Sequence, residues 1–345
     1  MLRRVLAGNG KGAFKIIEEP MPEPKPGELT IEVMASSISA GTELSRFAGK
    51  EPEVTPEDTW RTFGYQNAGI VTRVGEGCEE FRVGQRVAAM GAGYAIHGTH
   101  ANVPVNMTVA LPDSVSFEEG ALNSLAVTSL NAVRRANLEL GQNALVVGMG
   151  IVGQFVAQLA RLNGAHVLCA DRLALRLNTA RELGFDVCGV ETSFTEEAPQ
   201  FTRGYGMDAA FICFGGNATA TFKEIVGVMK RAPDTHVYGC VVLVGGATVE
   251  HSFGAALGNL DIRSAARTGP GYHDKEWEHG ASYPKVFVPW TTKRNLEEAM
   301  RWIAAGQLQV KPLITHTVSL DDAPEVCRTI IEHPDQTLGV VLKMQ

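Results

Sequence analysis

The segment Ala144-Leu-Val-Val-Gly-Met-Gly-Ile-Val-Gly153 constrains this chain more than any other. A short apolar run ends in Gly148, Gly150 and Gly153, and an apolar-periodic stretch continues through Val156, Leu159 and Ala160. The pattern predicts strand, tight turn, helix. The first glycine permits the turn, the second lets backbone approach a pyrophosphate, and the third allows close packing of helix on strand. The helix start offers free N–H groups and the positive end of its dipole to phosphate. A glycine-rich turn alone is a weak signal, but Ala165-His-Val-Leu-Cys-Ala-Asp171 reads as a second strand ending in an acid. Asp171 lies 18 residues after Gly153. That is close to the spacing of about 20 for the residue that binds the adenosine ribose. Together these features predict dinucleotide binding.

Around this turn, strands and helices alternate. Ala174 to Leu183 reads as a helix ended by Gly184, and Thr219 to Lys230 as another. The runs 186–190, Met207 to Gly215 and Gly239 to Gly246 are apolar enough to be buried parallel strands. The alternation implies a doubly wound sheet, with Phe214, Gly215, Val244 and Gly245 in loops flanking the cofactor. The chain before it is different. Phe14 to Glu19, Leu29 to Ala35, Ala68 to Val74, Gly84 to Ala89 and His100 to Val105 are short strands punctuated by turns, which suggests a barrel-like β domain. Ser116 with Glu119 forms a candidate capping box ahead of a helix over Ala121 to Val133. After Arg267 comes an irregular, aromatic-rich stretch to Trp290. A helix then follows over Asn295 to Ala305, with Leu296, Ala299, Met300 and Ile303 on one face, and a final strand over Leu338 to Lys343 could rejoin the first domain.

At 345 residues the chain suits two domains. A net charge of -7 without any basic run argues against a nucleic-acid partner. No apolar stretch is long enough for a membrane span, and no signal-peptide core is found at the amino terminus. Cys78, Cys169, Cys188, Cys213, Cys240 and Cys327 are scattered without a C-x-x-C pair, as expected of small buried hydrophobes in a reducing cytosol.

Three motifs together resemble the medium-chain dehydrogenases/reductases over nearly the whole length. Gly64-Tyr-Gln-Asn-Ala-Gly-Ile-Val71 is similar to the G-H-E-x-x-G-x-V signature, and is followed by Val74-Gly-Glu-Gly and Val83-Gly-Gln-Arg-Val. Val146 to Gly153 carries the cofactor turn. Val310-Lys-Pro-Leu-Ile-Thr-His with Leu320-Asp-Asp-Ala matches the family's carboxyl-terminal pattern. The resemblance implies an α/β protein: a GroES-like β-barrel catalytic domain over 1–120 and 270–345, around a Rossmann domain over 121–269. It implies a homodimer or homotetramer. It also places Thr128, Gly148, Met149, Gly150, Ile151, Val152, Gly153, Asp171, Arg172 and Arg176 against the cofactor. Asp171 favours NAD over NADP, whereas Arg172 and Arg176 would suit a 2′-phosphate or simply face solvent.

The departures from the family are informative. Zinc-dependent members bind the catalytic metal through the Cys of C-G-[ST]-D, the His of G-H-E and a later acid or Cys. Here those places read Ala40, Tyr65 and Asn123, and Met90 to His100 lacks the four-cysteine lobe. Alanine has no donor and Tyr and Asn are poor ones, so no zinc is expected. His97 and His100 without a cysteine read as surface residues. Without a metal, a side chain must serve as acid/base or oxyanion donor. Tyr65 leads as a catalytic candidate, with Thr42 at the family's proton-relay position and Glu43 as acid/base or as partner of a cation. Gln66 and Asn123 suit hydrogen bonds to a polyhydroxylated substrate.

Around Tyr272, Tyr283 and Trp290, which could wall a pocket, the chain resembles a zinc-poor bacterial branch grouped with threonine and polyol dehydrogenases. The resemblance implies a zinc-independent NAD-dependent dehydrogenase of a sugar, cyclitol or other bulky secondary alcohol. Bacteriochlorophyllide hydroxyethyl dehydrogenases look similar in the first motif. Two other readings stay open: a zinc-free quinone or enoyl C=C reductase, and a dinucleotide-binding protein that has lost its catalytic site.

Overall fold

The computed structural model describes residues 1–189, 192–252 and 254–344. Two compact units emerge: Met1–Val127 with Thr268–Gln345, and Thr128–Arg267. Residues 121–127 and 268–269 belong to the first.

The first unit begins with β1 (Leu2–Gly8), β2 (Phe14–Pro20), β3 (Glu28–Ile38), β4 (Arg61–Thr62), β5 (Gln66–Val74), β6 (Arg86–Met90), β7 (His100–Pro104) and β8 (Thr108–Ala110). β1 pairs antiparallel with β2 and β4. The long strand β3 pairs antiparallel with β5 and, along residues 28–32, with β7. Its alternation puts Leu29, Ile31 and Val33 in the core. The polar face is covered as well: Thr30 is buried and its hydroxyl donates to Asn102 Oδ1 at 2.8 Å. Directly after β3, Ala40–Leu44 forms one turn of π-helix and Ser45–Phe47 a 3₁₀ turn. The Glu43 carboxylate reaches back to accept the Ser39 N–H at 2.7 Å, which helps hold the wide turn. The capping box at Ser116 and Glu119 is formed, but on a short helix α1 (Phe117–Gly120). The predicted long helix starts two residues late, as α2 (Asn123–Ala136).

In the second unit the order is β9 (Asn143–Val147), α3 (Ile151–Leu162), β10 (His166–Ala170), α4 (Ala174–Glu182), β11 (Asp186–Cys188), α5 (Phe194–Phe201), β12 (Ala209–Ile212), β13 (Gly216–Asn217), α6 (Thr219–Val228), β14 (Cys240–Val244), β15 (Ala247–Thr248) and β16 (Asp261–Ala265). Six strands form one parallel sheet in the order β11-β10-β9-β12-β14-β16, while β13 and β15 pair separately. The order reverses between β9 and β12, which leaves a crevice at the carboxyl ends of those strands. Of the strand predicted over 186–190, Val190 lies outside the described residues. Helix α5 was not anticipated from periodicity. Its start is a second capping box, Ser193 with Glu196.

The chain then returns to the first unit with α7 (Lys275–Glu278), α8 (Thr292–Ala304), β17 (Ile314–Ser319), α9 (Ala323–Glu332) and β18 (Gly339–Lys343). The stripe on α8 is buried as its spacing predicts. β18 runs parallel to β17 and antiparallel to β3, so the final strand does rejoin the first sheet. All six cysteines are free, and five are buried, with Cys213 half-buried. Among the described residues no helix is long and apolar enough to cross a membrane.

Leu342 on β18 is fully buried in the core of the first unit. Leu342→Ala is expected to cost about 2–4 kcal/mol, the range for a buried leucine truncation. Urea unfolding followed by circular dichroism measures it, and an unchanged midpoint would contradict the placement of this strand in the core.

Candidate active site and dinucleotide site

The three glycines of the turn do three different things. Gly148 has φ of +93°, a conformation that strains any side chain. At Gly153 an added Cβ would lie 1.9 Å from the Gly148 carbonyl oxygen, so only glycine lets α3 pack this close to the turn. Gly150 is different again. A Cβ there would meet nothing within 4 Å, so its backbone borders open space at the start of α3.

Asp171 closes the other side of the turn. One carboxylate oxygen accepts the Met149 N–H at 2.6 Å, and the other accepts the N–H groups of Arg172 and Leu173 at 2.7 and 2.9 Å. The Arg176 guanidinium stands 3.5 Å away. Gln154 holds the Met149 and Arg176 carbonyls through its amide. A cavity of about 490 Å³ opens here, lined by Gly148, Asp171, Arg172, Arg176, Phe214 and Gly215 together with Ser193, Phe194, Thr221 and Glu224. The last four carry no recognisable sequence signal. Val244 ends β14 and Gly245 follows with φ of +94°. Thr128, Ile151 and Val152 lie on α2 and α3, outside this lining.

In the first unit a cavity of about 730 Å³ is lined by Thr42, Glu43 and Tyr65 and by Phe14, Phe47 and Phe63. Its remaining wall is polar, with Asn9, Lys11, Arg46, Thr55, Asp58 and Arg61 among the contributors. Lys11 is engaged by Asp58 at 3.1 Å and Glu53 at 3.3 Å. The hydrogen bonds that Asp58 accepts from Thr55 and Asn9 hold its carboxyl well below the usual range, with the Lys11 ammonium adding to them. Ser39 and Thr42 lie next to the Tyr65 hydroxyl. Burial and the Glu43 charge push the Tyr65 phenol well above the ordinary tyrosine value.

Behind Glu43 stands His97. Both Glu43 carboxylate oxygens are 3.3 Å from His97 Nε2, and His97 Nδ1 is 2.8 Å from Ser36 Oγ. His97 is 0% exposed, which corrects its reading as a surface residue. Phe63 covers the ring edge-on at 5.3 Å, and the His97 N–H donates to the Phe63 carbonyl. Gly64 makes this approach possible, since a Cβ there would fall 2.6 Å from the His97 nitrogen. Glu43 thus does find a partner, an imidazole rather than a lysine or arginine.

Several expected wall residues lie elsewhere. Gln66 and Asn123 do not line the cavity. They are buried, and their amides donate to the Ser37 and Leu296 carbonyls, while their side-chain oxygens meet no partner among the described residues. Tyr283 lines a separate cavity of about 430 Å³ and donates to Asp274 at 2.5 Å. Trp290 stacks under the Arg294 guanidinium. An acid and the Trp277 ring account for Tyr283, and a guanidinium for Trp290. Tyr272 comes nearest, accepting the N–H of the cavity residue Ala92 at 2.9 Å.

The donor set does not match zinc. Ala40 offers nothing, Asn123 presents an amide, and Glu43 with His97 supplies only two suitable groups. Among the described residues no three His, Cys, Asp or Glu side chains gather where they could hold a metal ion.

Comparison with known proteins places the fold. The alcohol dehydrogenase GroES-like domain matches residues 25–133, and the zinc-binding dehydrogenase domain matches residues 152–281. The chain belongs to the zinc-type alcohol dehydrogenase family. The medium-chain dehydrogenase/reductase resemblance, the GroES-like domain and the Rossmann-type domain are therefore as the sequence indicated. It is an oxidoreductase of the type that acts on CH–OH groups, from a family that uses NAD or NADP. Sorbitol dehydrogenase of Mus musculus is 26% identical over 366 aligned positions, spanning 94% of this chain and 91% of its own. Among solved structures, an Escherichia coli oxidoreductase/dehydrogenase of unknown specificity involved in membrane biogenesis matches with a TM-score of 0.80 at 20% identity over the whole of both chains. A putative zinc-binding dehydrogenase of Sinorhizobium meliloti, bound to NADP, matches at 0.76 and 20% identity over the whole of both chains.

Gly150 and Gly153 should separate by experiment. Gly150→Ala is expected to change stability by less than about 1 kcal/mol while abolishing reduced-cofactor binding, because its Cβ fills ligand space. Gly153→Ala is expected to lower stability by about 1–3 kcal/mol or more through overpacking. Thermal melts and a calorimetric NADH titration read both; normal binding by Gly150→Ala would remove that glycine from the cofactor site.

Proposed function

We propose that this protein is a zinc-independent, NAD(H)-dependent dehydrogenase that interconverts a secondary alcohol and its ketone on a polyol-like substrate. One observation carries the reading: Thr42, Glu43 and Tyr65 line one cavity, and among the described residues no three His, Cys, Asp or Glu side chains gather there to hold a metal ion. The polar wall, with Asn9, Thr55, Arg46 and Arg61, suits a molecule carrying several hydroxyl groups. The sorbitol-oxidising relative is in keeping with this substrate class.

The substrate oxygen sits within reach of Tyr65 and Thr42. NAD supplies the hydride acceptor, and this chain's residues handle the proton. Tyr65 has a raised pKa and stays protonated at neutral pH, so in ketone reduction its hydroxyl donates to the carbonyl oxygen as hydride arrives at carbon. In oxidation the alcohol proton returns by the same route, toward Glu43. Thr42 orients the phenol. On the second unit, Gly148 to Gly153 and the start of α3 receive the pyrophosphate, while Asp171 accepts from the adenosine ribose hydroxyls and disfavours a 2′-phosphate. The six free cysteines are in keeping with a reducing cytosol.

Purified protein mixed with NAD and a panel of sugars, cyclitols and bulky alcohols tests the reading by the absorbance of reduced cofactor. Turnover should survive a chelator, and Tyr65→Phe should lower kcat by roughly 10²-fold or more. Loss of activity on chelation would refute zinc independence. Ketone reduction should stay flat through neutral pH and decline only above the ordinary tyrosine range, near 10; a fall at lower pH would exclude Tyr65 as the acid. Asp171→Ser should raise the relative preference for NADP about tenfold, or roughly 1.4 kcal/mol. Wild-type preference for NADPH over NADH would overturn the NAD assignment.

A further inference from the structure

Glu43 and His97 form an unusual pair for the interior of a protein. The Glu43 side chain is 7% exposed and His97 0%. Glu43 has no lysine or arginine partner among the described residues; its ion-pair partner is the imidazole. Ser36, at the inner end of the line, is also fully buried, on β3. When Nε2–H donates to Glu43, Nδ1 accepts the Ser36 hydroxyl proton, and the whole line is hydrogen-bonded. In that state the buried pair carries one negative charge. A proton taken up from the cavity would cancel that charge without breaking the line of contacts.

We propose that Glu43 and His97 together hold the proton that the alcohol releases, with Glu43 facing the cavity and His97 as the positioning residue that sets its proton affinity. The inference rests on the reading that the alcohol binds beside Tyr65. Alcohol and NAD give ketone, NADH and one proton. The hydride goes from carbon to the nicotinamide. The Tyr65 oxygen takes the alcohol proton as Tyr65 gives its own proton on, by way of Thr42, to the Glu43–His97 pair, which then releases it to water. The polar groups next to the pair fit this role. Tyr65 stands on the cavity side, where the Glu43 charge acts on it. Ser36 lies behind the imidazole. The Cys327 thiol on α9 is buried and close enough to Glu43 for that charge to help raise its pKa, so it stays neutral. Ser39 contributes only its backbone N–H to the carboxylate. Of the cations on the cavity wall, Lys11 pairs with Asp58 and Glu53, and among the described residues neither Arg46 nor Arg61 makes an ion pair with Glu43.

The test uses the full chain, with alcohol oxidation measured against pH. His97→Gln keeps a hydrogen-bonding side chain but cannot take a proton. It is expected to lower kcat about tenfold or more, leave KM within about twofold, and move the acidic limb of the pH profile by about one unit. A merely structural histidine would not move that limb. A profile superimposable on wild type, with kcat within about twofold, overturns the proposal. Should His97→Gln fail to fold, Ser36→Ala is read in the same way, since it removes the Nδ1 partner and leaves the imidazole in place.

A second readout needs no turnover. The ring nitrogens of ¹⁵N-labelled histidine report the titration of His97 in wild type and in Glu43→Gln. A midpoint that differs by about one unit supports the coupling, and identical titrations sink it. If no alcohol is oxidised by the wild type, the functional reading fails while the titration still decides whether the pair shares a proton.

Discussion

The hydrogen-bond ladder along β3 organises the first unit. This eleven-residue strand pairs with β5 on one side, and with β7 and then β18 along its other edge. Strands paired on both edges have little freedom to slip, because a shift of one residue would turn Leu29, Ile31 and Val33 away from the core. That rigidity reaches the proposed site directly. Ser36 lies within the strand, and the π-helical turn bearing Thr42 and Glu43 follows two residues after its end. Groups that must hold a hydroxyl at hydrogen-bond distance benefit from such a support.

The two sites differ in how they are built. The dinucleotide turn is local: three glycines and an acid, close in sequence, define it through backbone shape and amide groups. The cavity of the first unit is assembled from distant segments. Glu43 and His97 are 54 residues apart, and Phe63 and Gly64 come from a third place in the chain. The contrast explains what could be read beforehand. Gly148, Gly150, Gly153 and Asp171 stood out because turn geometry dictates both residue type and spacing. The alternation of elements implied the doubly wound parallel sheet, but β16 was not read as a strand and the strand order was not foreseen.

His97 gave no such signal, since a histidine in a glycine-rich stretch looks the same whether buried or solvated. Only the ring of Phe63 and the carbonyl pairing around it put it inside. Gln66 and Asn123 present the opposite case. Their positions relative to the family's motifs suggested a ligand, but the chain uses their amides to satisfy the Ser37 and Leu296 carbonyls. Tyr283 is explained by Asp274 and Trp290 by Arg294, partners that composition alone could not supply. α5 escaped detection because Pro199 sits inside it, a residue that ordinarily argues against a helix.

The return of β18 to β3 also has a consequence in time. The second unit is one continuous run, Thr128–Arg267, and can complete its sheet as soon as β16 has been made. The first unit cannot. Its longest strand leaves the ribosome early but must wait for some three hundred further residues before β18 arrives, and closing so long a loop is slow. Until then Ile38 and the neighbouring positions of that edge lack their partner. The first unit is thus opened before the second and closed after it, and the interval between is when this chain most needs protection from other exposed strands.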